Sequence, residues 1–303
     1  MNVIECTDVT KVFGKKKALN ELNVTIGQNK MVGLIGRNGA GKTTFLKMVA
    51  GYLKPTSGEL KVFGENPFNS LKVSQNMIFV DDHMHLPIAM NLGEIIDAAK
   101  MFYPNWDHVL AQKLVDYFSL DKKLYHYQLS KGKRSTFNCI LGLAAKCPLT
   151  LFDEPTTGMD RTTRKDFYRA LLKDYLNYPR TIIVSSHLLN EMEDLMEEIL
   201  LLKDGKNYLH ASIEELKQYA IAFQGKESDV SLWTKEKDVL YEKRFGAGTV
   251  YAVVKNDFSG EQLEKARLSG IEVKSVSVDD VYVYLTNEPK GGIDDVFSHA
   301  ENE

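Results

Sequence analysis

The chain opens on two stretches, Val3 to Phe13 and Ala18 to Ile26, in which apolar and polar residues alternate. That period of two belongs to strands with one exposed face. Gly14-Lys15-Lys16-Lys17 between them reads as a turn, which predicts an antiparallel edge sheet. Met31 to Ile35 is apolar throughout, a helix follows over Thr44 to Ala50 with Gly51 as its stop, and Pro55 to Gly58 turns the chain into a strand near Glu59 to Val62. Met77 to Val80 predicts another buried strand. From about Asp82 to Gln128 the apolar spacing changes to threes and fours, at Ile95, Ala98, Ala99 and Phe102 and again at Leu110, Leu114 and Phe118, which predicts a helical insertion. Wholly apolar strands return at Leu149 to Phe152 and Thr181 to Val184, separated by a helix over Thr162 to Asn177. Strands without a polar face, alternating with helices, are those of a parallel sheet in an α/β fold. Ile199 to Leu202 and Asn207 to Ala211, around Asp204-Gly205, predict a hairpin.

Beyond Ala220 the pattern shifts to short mixed elements: a strand at Thr249 to Val254, a helix at Glu261 to Leu268, a strand at Glu272 to Val276, and a short helix or strand through Tyr282 to Leu285. A small α+β domain starting between 215 and 230 is therefore expected. The predicted plan is a first domain over 1–220, with its helical part at about 82–135, a second over 221–288, and a mobile polar tail over 289–303.

Composition adds exclusions. With 44% hydrophobic and 26% charged residues the chain is not a disordered one, and a net charge of -3 supplies no global field toward nucleic acid or anionic lipid. No nucleic-acid partner is expected. Cys6, Cys139 and Cys147 lack metal-ligand spacing and read as buried thiols of a reducing cytoplasm. The start carries no basic region followed by an apolar one, so no secretory signal is expected. The apolar stretch from Cys139 to Phe152 is broken by Lys146 and Pro148 and falls short of the ~20 residues of a membrane span. Any role at a membrane would come through a partner.

The most informative segment is Gly36-Arg-Asn-Gly-Ala-Gly-Lys-Thr-Thr44, which fits the phosphate-binding G-x-x-x-x-G-K-[ST] loop and joins an apolar strand to a helix. Its glycines let backbone N–H groups of Asn38, Gly39, Ala40, Gly41 and Thr44 fold around phosphate, and the helix dipole favours the anion. Lys42 would reach the β- and γ-phosphates, and the Thr43 hydroxyl would ligate magnesium. Asp153 and Glu154 emerge where the strand Leu149 to Phe152 ends, the edge at which ligands bind in open α/β sheets. Asp153 can hold the metal, and Glu154 can deprotonate an attacking water. His187 ends the strand Thr181 to Ser186 at the same edge, placed to stabilise a γ-phosphate. Bland readings stand beside these: a chance Gly-rich turn, a helix N-cap with a solvated charge, and a solvent-facing histidine.

Taken in order, these segments resemble the ATP-binding cassette (ABC) family over about residues 1 to 215. The likeness rests on Phe13, GRNGAGKTT, Leu129-Ser130-Lys131-Gly132-Lys133, Leu151-Phe-Asp-Glu-Pro155, Gly158-Met159-Asp160 and Ser185-Ser-His187. The resemblance implies an α/β nucleotide-binding core with an antiparallel edge sheet and a helical subdomain. It implies Phe13 stacking on adenine, ATP and Mg2+ as cofactors, Asp160 as a nucleotide-binding residue, and a dimer in which Ser130, Lys131 and Gly132 of one chain complete the ATP site of the other. Ser130 also reads simply as a helix N-cap. Within the family the chain is similar to the Ytr-type, bacitracin-resistance and phenol-soluble-modulin exporter ATPases, through Asp81-Asp82, Leu-Ser-Lys-Gly and Tyr103-Pro-Asn-Trp-Asp107. That implies a cytoplasmic ATPase, peripheral on the inner membrane face, which drives separate permease subunits in peptide or antimicrobial export. A soluble ABC ATPase that remodels a macromolecular complex is the rival reading.

Two segments depart from the family pattern. Lys131 and Lys133 replace the usual glycine and glutamine, and the added cation either strengthens closure on the triphosphate or faces solvent. Asp82 stands where the family has the glutamine that senses magnesium, and its hard oxygens suit the same ion. Just beyond it, Met84, His85, Leu86, Pro87 and Met90, followed by Phe102 to Trp106, form either a groove for a partner's helix or the subdomain's own core. The string 276 to 286 resembles the ends of accessory domains on exporter ATPases, with a regulatory or a passive role open.

Overall fold

In a computed structural model, residues 1–286 are described. The expected mobile tail, 289–303, lies outside them. Backbone contacts divide the chain into a unit Met1–Leu216 and a second unit from Lys217.

The first unit begins with β1 (Asn2–Phe13), β2 (Lys16–Gly27) and β3 (Met31–Ile35), followed by α1 (Lys42–Val49), β4 (Ser57–Val62), α2 (Leu71–Gln75) and β5 (Met77–Val80). β1 pairs with β2 on one side and β4 on the other, a three-stranded antiparallel sheet whose inward residues Ile4, Val9, Leu22 and Ile26 are fully buried. Next come α3 (Leu92–Ala99), α4 (His108–Tyr117) and α5 (Lys131–Ala144), then β6 (Leu149–Asp153), α6 (Arg161–Asn177), β7 (Thr181–Ser186), β8 (Glu198–Lys203), β9 (Lys206–Ser212) and α7 (Ile213–Lys217). The central six-stranded sheet runs β5-β6-β7-β3-β8-β9. All of its neighbouring pairs are parallel except the β8–β9 hairpin. Every residue of β3, β5, β6 and β7 is buried, which explains why β3 and β5 are wholly apolar and why β6 and β7 carry only Thr150, Asp153, Thr181, Ser185 and Ser186 as polar residues. The C-terminal ends of β3, β6 and β7 face one edge, and the residues expected to act on phosphate lie there.

α3, α4 and α5 share a separate core of Leu92, Ile96, Ala111, Val115, Phe137 and Ile140. Met84, Leu86, Met90 and Trp106 are partly buried against this core, while Phe102 is 72% exposed. The cluster after Asp82 is thus core and surface together: Met84, Leu86, Pro87, Met90, Phe102 and Tyr103 also line a groove of about 380 Å³.

The second unit contains β10 (Ala220–Lys226), α8 (Glu227–Thr234), β11 (Val239–Phe245), β12 (Thr249–Lys255), α9 (Gly260–Leu268), β13 (Glu272–Ser275) and α10 (Val278–Thr286). Its antiparallel sheet has the order β11-β12-β10-β13, which with the βαββαβ chain order is the ferredoxin-like split arrangement. Phe223, Trp233 and Phe258 meet in its core, the Phe223 and Phe258 rings edge to face with centroids 5.2 Å apart. The sequence pattern gave no element over 221–245. β11 is almost wholly exposed and α8 buries only Val230, so neither carries a readable apolar period.

Candidate nucleotide site

The phosphate loop is shaped by close approach. Gly41 precedes α1 with φ of 108°, and a Cβ there would stand 2.5 Å from the Ala18 carbonyl oxygen. A Cβ on Gly36 would stand 2.6 Å from the Leu202 carbonyl oxygen. No side chain caps α1, so its first amides are left for an anion. Asn38 and Gly39 are exposed on the loop, Ala40 is buried, Thr43 is exposed and Thr44 half-buried.

Lys42 is only 6% exposed, and its Nζ donates to the Gly36 carbonyl at 2.6 Å and lies 3.3 Å from Glu154 Oε1. The other oxygen, Glu154 Oε2, is 2.8 Å from His187 Nδ1. One carboxylate therefore bridges the lysine of the phosphate loop and the histidine after β7. Glu154 holds φ of 47°, a left-handed conformation that costs a side-chain-bearing residue about 1–3 kcal/mol. Its backbone is fixed on both sides: its N–H donates to Ser185 Oγ at 2.9 Å, and its carbonyl accepts from Thr157 N at 3.2 Å and Thr157 Oγ1 at 2.9 Å. Ser185 Oγ in turn donates to Asp153 Oδ1 at 2.6 Å. Ser185 organises both carboxylates; the sequence marks it only within Ser185-Ser-His187, with no role of its own, and the signal was a serine in a wholly buried strand.

The second group of expected residues gathers around α5 and α6. Ser130 caps α5, accepting from Lys133 N at 3.4 Å. A Cβ on Gly132 would stand 2.4 Å from the Gly158 carbonyl oxygen, and Lys131 Cγ packs 3.0 Å from where a Gly158 Cβ would be. Asp160 caps α6, accepting from Thr162 N, Thr163 N and Thr163 Oγ1 at 2.9, 3.0 and 2.6 Å. The Thr163 bonds, hydroxyl first, hold its carboxyl below the usual range. Among the described residues no hydrogen bond or ion pair joins Ser130, Lys131, Gly132 or Asp160 to Lys42, Asp153 or Glu154. Asp82 pairs with His83 at 3.3 Å and approaches Lys131 Nζ at 3.9 Å. Its neighbour Asp81 is the one that feels Asp153: burial pushes the Asp81 carboxyl up, Lys47 opposes, and the Asp153 charge adds a smaller push. Phe13, at the end of β1, is 49% exposed with Lys11 Nζ 5.1 Å from its ring centre.

The sequence profile of the ABC transporter family matches residues 19–157. The chain is 30% identical over 237 residues to the bacitracin transport ATP-binding protein BcrA of Bacillus licheniformis, covering 71% of this chain and 72% of that one. It is 27% identical over 256 residues to the ABC transporter ATP-binding protein YtrB of Bacillus subtilis, covering 84% and 88%. This chain belongs to the ABC transporter ATP-binding family. Among solved structures, the ATP-binding cassette MJ0796 in a dimeric post-hydrolysis state with ADP and Pi superposes with a TM-score of 0.61 at 23% identity, over 69% of this chain and 98% of that one. An ATP-binding subunit of an ABC transporter superposes with a TM-score of 0.63 at 20% identity, over 71% and 92%. These show the ABC nucleotide-binding fold.

As an ABC ATPase subunit the chain binds ATP and hydrolyses it to drive transport. The Thr43 hydroxyl and the Asp153 carboxylate are hard oxygen donors in this site, a set that fits magnesium and not a soft metal. Among the described residues no group of three or more His, Cys, Asp or Glu could hold a metal alone. Magnesium keeps waters and takes phosphate oxygens, so such a group is not required.

Proposed function

We propose that the chain is the motor subunit of an exporter, pairing with a second cassette and driving separate membrane-spanning chains. The carrying observation is the Glu154 carboxylate held between Lys42 and His187. The kinship to a bacitracin transport protein supports a peptide or antimicrobial cargo. No helix among the described residues is long and apolar enough to cross a membrane, which fits a peripheral place on the inner, cytoplasmic face.

In this reading the triphosphate lies along Asn38 to Thr44, Phe13 stacks on adenine, and Lys42 turns from Glu154 toward phosphate. Glu154 then accepts the proton of the attacking water, and His187, through its ring N–H, orients that carboxylate and balances developing charge. Thr43 and Asp153 would hold magnesium, with Asp82 beside them, and the ion would neutralise charge on the phosphates. Ser130, Lys131 and Gly132, at the start of α5, and Asp160 would meet the nucleotide of the second chain. The groove beside Met84 and Leu86 would take a short helix of the membrane partner.

Detergent extraction of the intact complex tests this. The chain is expected to co-purify with a multi-span protein and to lose it when Met84 or Leu86 carries a charge, with ATPase activity of the isolated chain preserved. A chain found only in the soluble fraction, bound to a ribosome or another complex, would contradict it.

A further inference from the structure

The phosphate loop has a neighbour that no motif marks. β2 starts at Lys16 and passes directly over the loop: the Ala18 carbonyl oxygen and Leu19 Cδ2 stand 2.5 and 2.8 Å from where a Gly41 Cβ would be. Gly205 N donates to the Ala40 carbonyl at 3.2 Å and Asn20 N to the Gly205 carbonyl at 2.9 Å. These contacts tie the start of β2 to the loop through the backbone, so the two move together.

Lys16 is the residue this arrangement delivers. Its Nζ is 3.9 Å from the position of a Gly39 Cβ, and it forms no ion pair among the described residues. Two other lysines of the hairpin, Lys17 and Lys11, are engaged elsewhere, and Lys15 lies exposed in the turn. Lys17 Nζ donates to Asn20 Oδ1 at 3.2 Å, and Lys11 Nζ donates to the Lys54 carbonyl at 2.8 Å and sits over the Phe13 ring. Lys42 approaches the loop from the buried side, Lys16 from the exposed side.

We infer that Lys16 is a second phosphate-binding lysine, supplied by the β1–β2 hairpin to the outer wall of the nucleotide cradle. This rests on the reading of residues 36–44 as the nucleotide site. The physical case is a mobile ammonium with no competing carboxylate, carried by a strand whose backbone is fixed against the loop. A phosphate chain resting on Gly39 to Gly41 would lie between two cations, one desolvated and one open to solvent. The outer one acts as a point charge whose contribution is screened by salt. It would touch phosphate only, with no part in moving a proton.

Equilibrium titration of the full chain with MgADP, which is not turned over, tests the inference. Lys16→Ala is expected to weaken binding by roughly tenfold, the scale of a hydrogen bond to a charged group discounted for exposure. Lys16→Glu should weaken it further, Lys16→Arg should stay within about twofold of the parent, and the loss should shrink as salt is raised. Lys17→Ala, on a lysine held by Asn20, should bind as the parent does. Binding by Lys16→Ala within about twofold of the parent, at unchanged melting temperature, would overturn the assignment, as would equal weakening by Lys17→Ala. Failure of the parent chain itself to bind MgADP would instead sink the reading of the nucleotide site.

Discussion

Lys131 Nζ faces Asp82 Oδ2 across 3.9 Å, so two of the residues that depart from the ABC pattern, a cation for glycine and a carboxylate for glutamine, are opposite charges set against each other. Lys131 is rooted at the start of α5 and Asp82 just beyond β5, so the contact spans from the helical subdomain to the sheet edge. Lys131 is exposed and Asp82 half-buried, and the pair is worth no more than about 1 kcal/mol.

Asp82→Ala should reduce magnesium-dependent hydrolysis and the coupling of ATP turnover to transport while leaving the melting temperature within about 2 °C, because a partly exposed pair contributes little to stability. Steady-state rates over a magnesium titration check it. Full hydrolysis and full coupling in the variant would remove Asp82 from the site.

Asp174 is buried on α6 against Lys146 and has Arg180 Nη2 at 2.8 Å from its Oδ2. Replacing it by alanine leaves buried Arg180 without an ion pair among the described residues and Lys146 with only Asp107 at 4.0 Å, a loss of about 3–5 kcal/mol. Chemical denaturation is expected to show that loss, and a triple replacement of Asp174, Lys146 and Arg180 by apolar residues of similar size should lose much less. A single-variant cost under about 1 kcal/mol would mean that water reaches the cluster.

His126 supplies a pH dependence. Burial holds its imidazole below the usual range, its bond with Asn138 at 2.7 Å opposes, and Arg134 adds a smaller push downward. The unfolded chain, with the ordinary value of 6.5, then binds more protons than the folded one between the folded value and 6.5. Stability rises with pH across that window. The contribution is complete above the ordinary value and is lost as pH falls from there toward the folded one. His126→Gln should flatten the melting-temperature decline between about pH 7.5 and about pH 5.5; an equal decline in both proteins would assign it to other groups.

Strands β3, β5, β6 and β7 of the central sheet were legible because they are buried on both faces and rich in apolar residues, wholly so in β3 and β5. The residues Lys42, Glu154 and His187 were legible for a related reason: each follows an apolar strand at the same edge. α5 was readable only at its Ser130 end. From Ser135 to Ala144 every residue is buried, so no polar face marks a helical period. Ser185 and Lys16 stayed hidden because their roles depend on what the fold brings beside them, Asp153 and Glu154 in one case and Gly39 in the other. The two departures gave no sign in sequence that they meet, since Asp82 and Lys131 belong to different elements.

In the proposed function Glu154, held by Lys42 and His187, is the base for ATP hydrolysis in a two-chain site. Light scattering and bound-nucleotide analysis of Glu154→Gln with MgATP test it most directly. The amide keeps the shape and loses the base, so hydrolysis is expected to fall by about 10²-fold or more, and a stable dimer holding unhydrolysed ATP should accumulate. A variant that turns over ATP at the parent rate, or that binds ATP and remains a monomer, would contradict the claim.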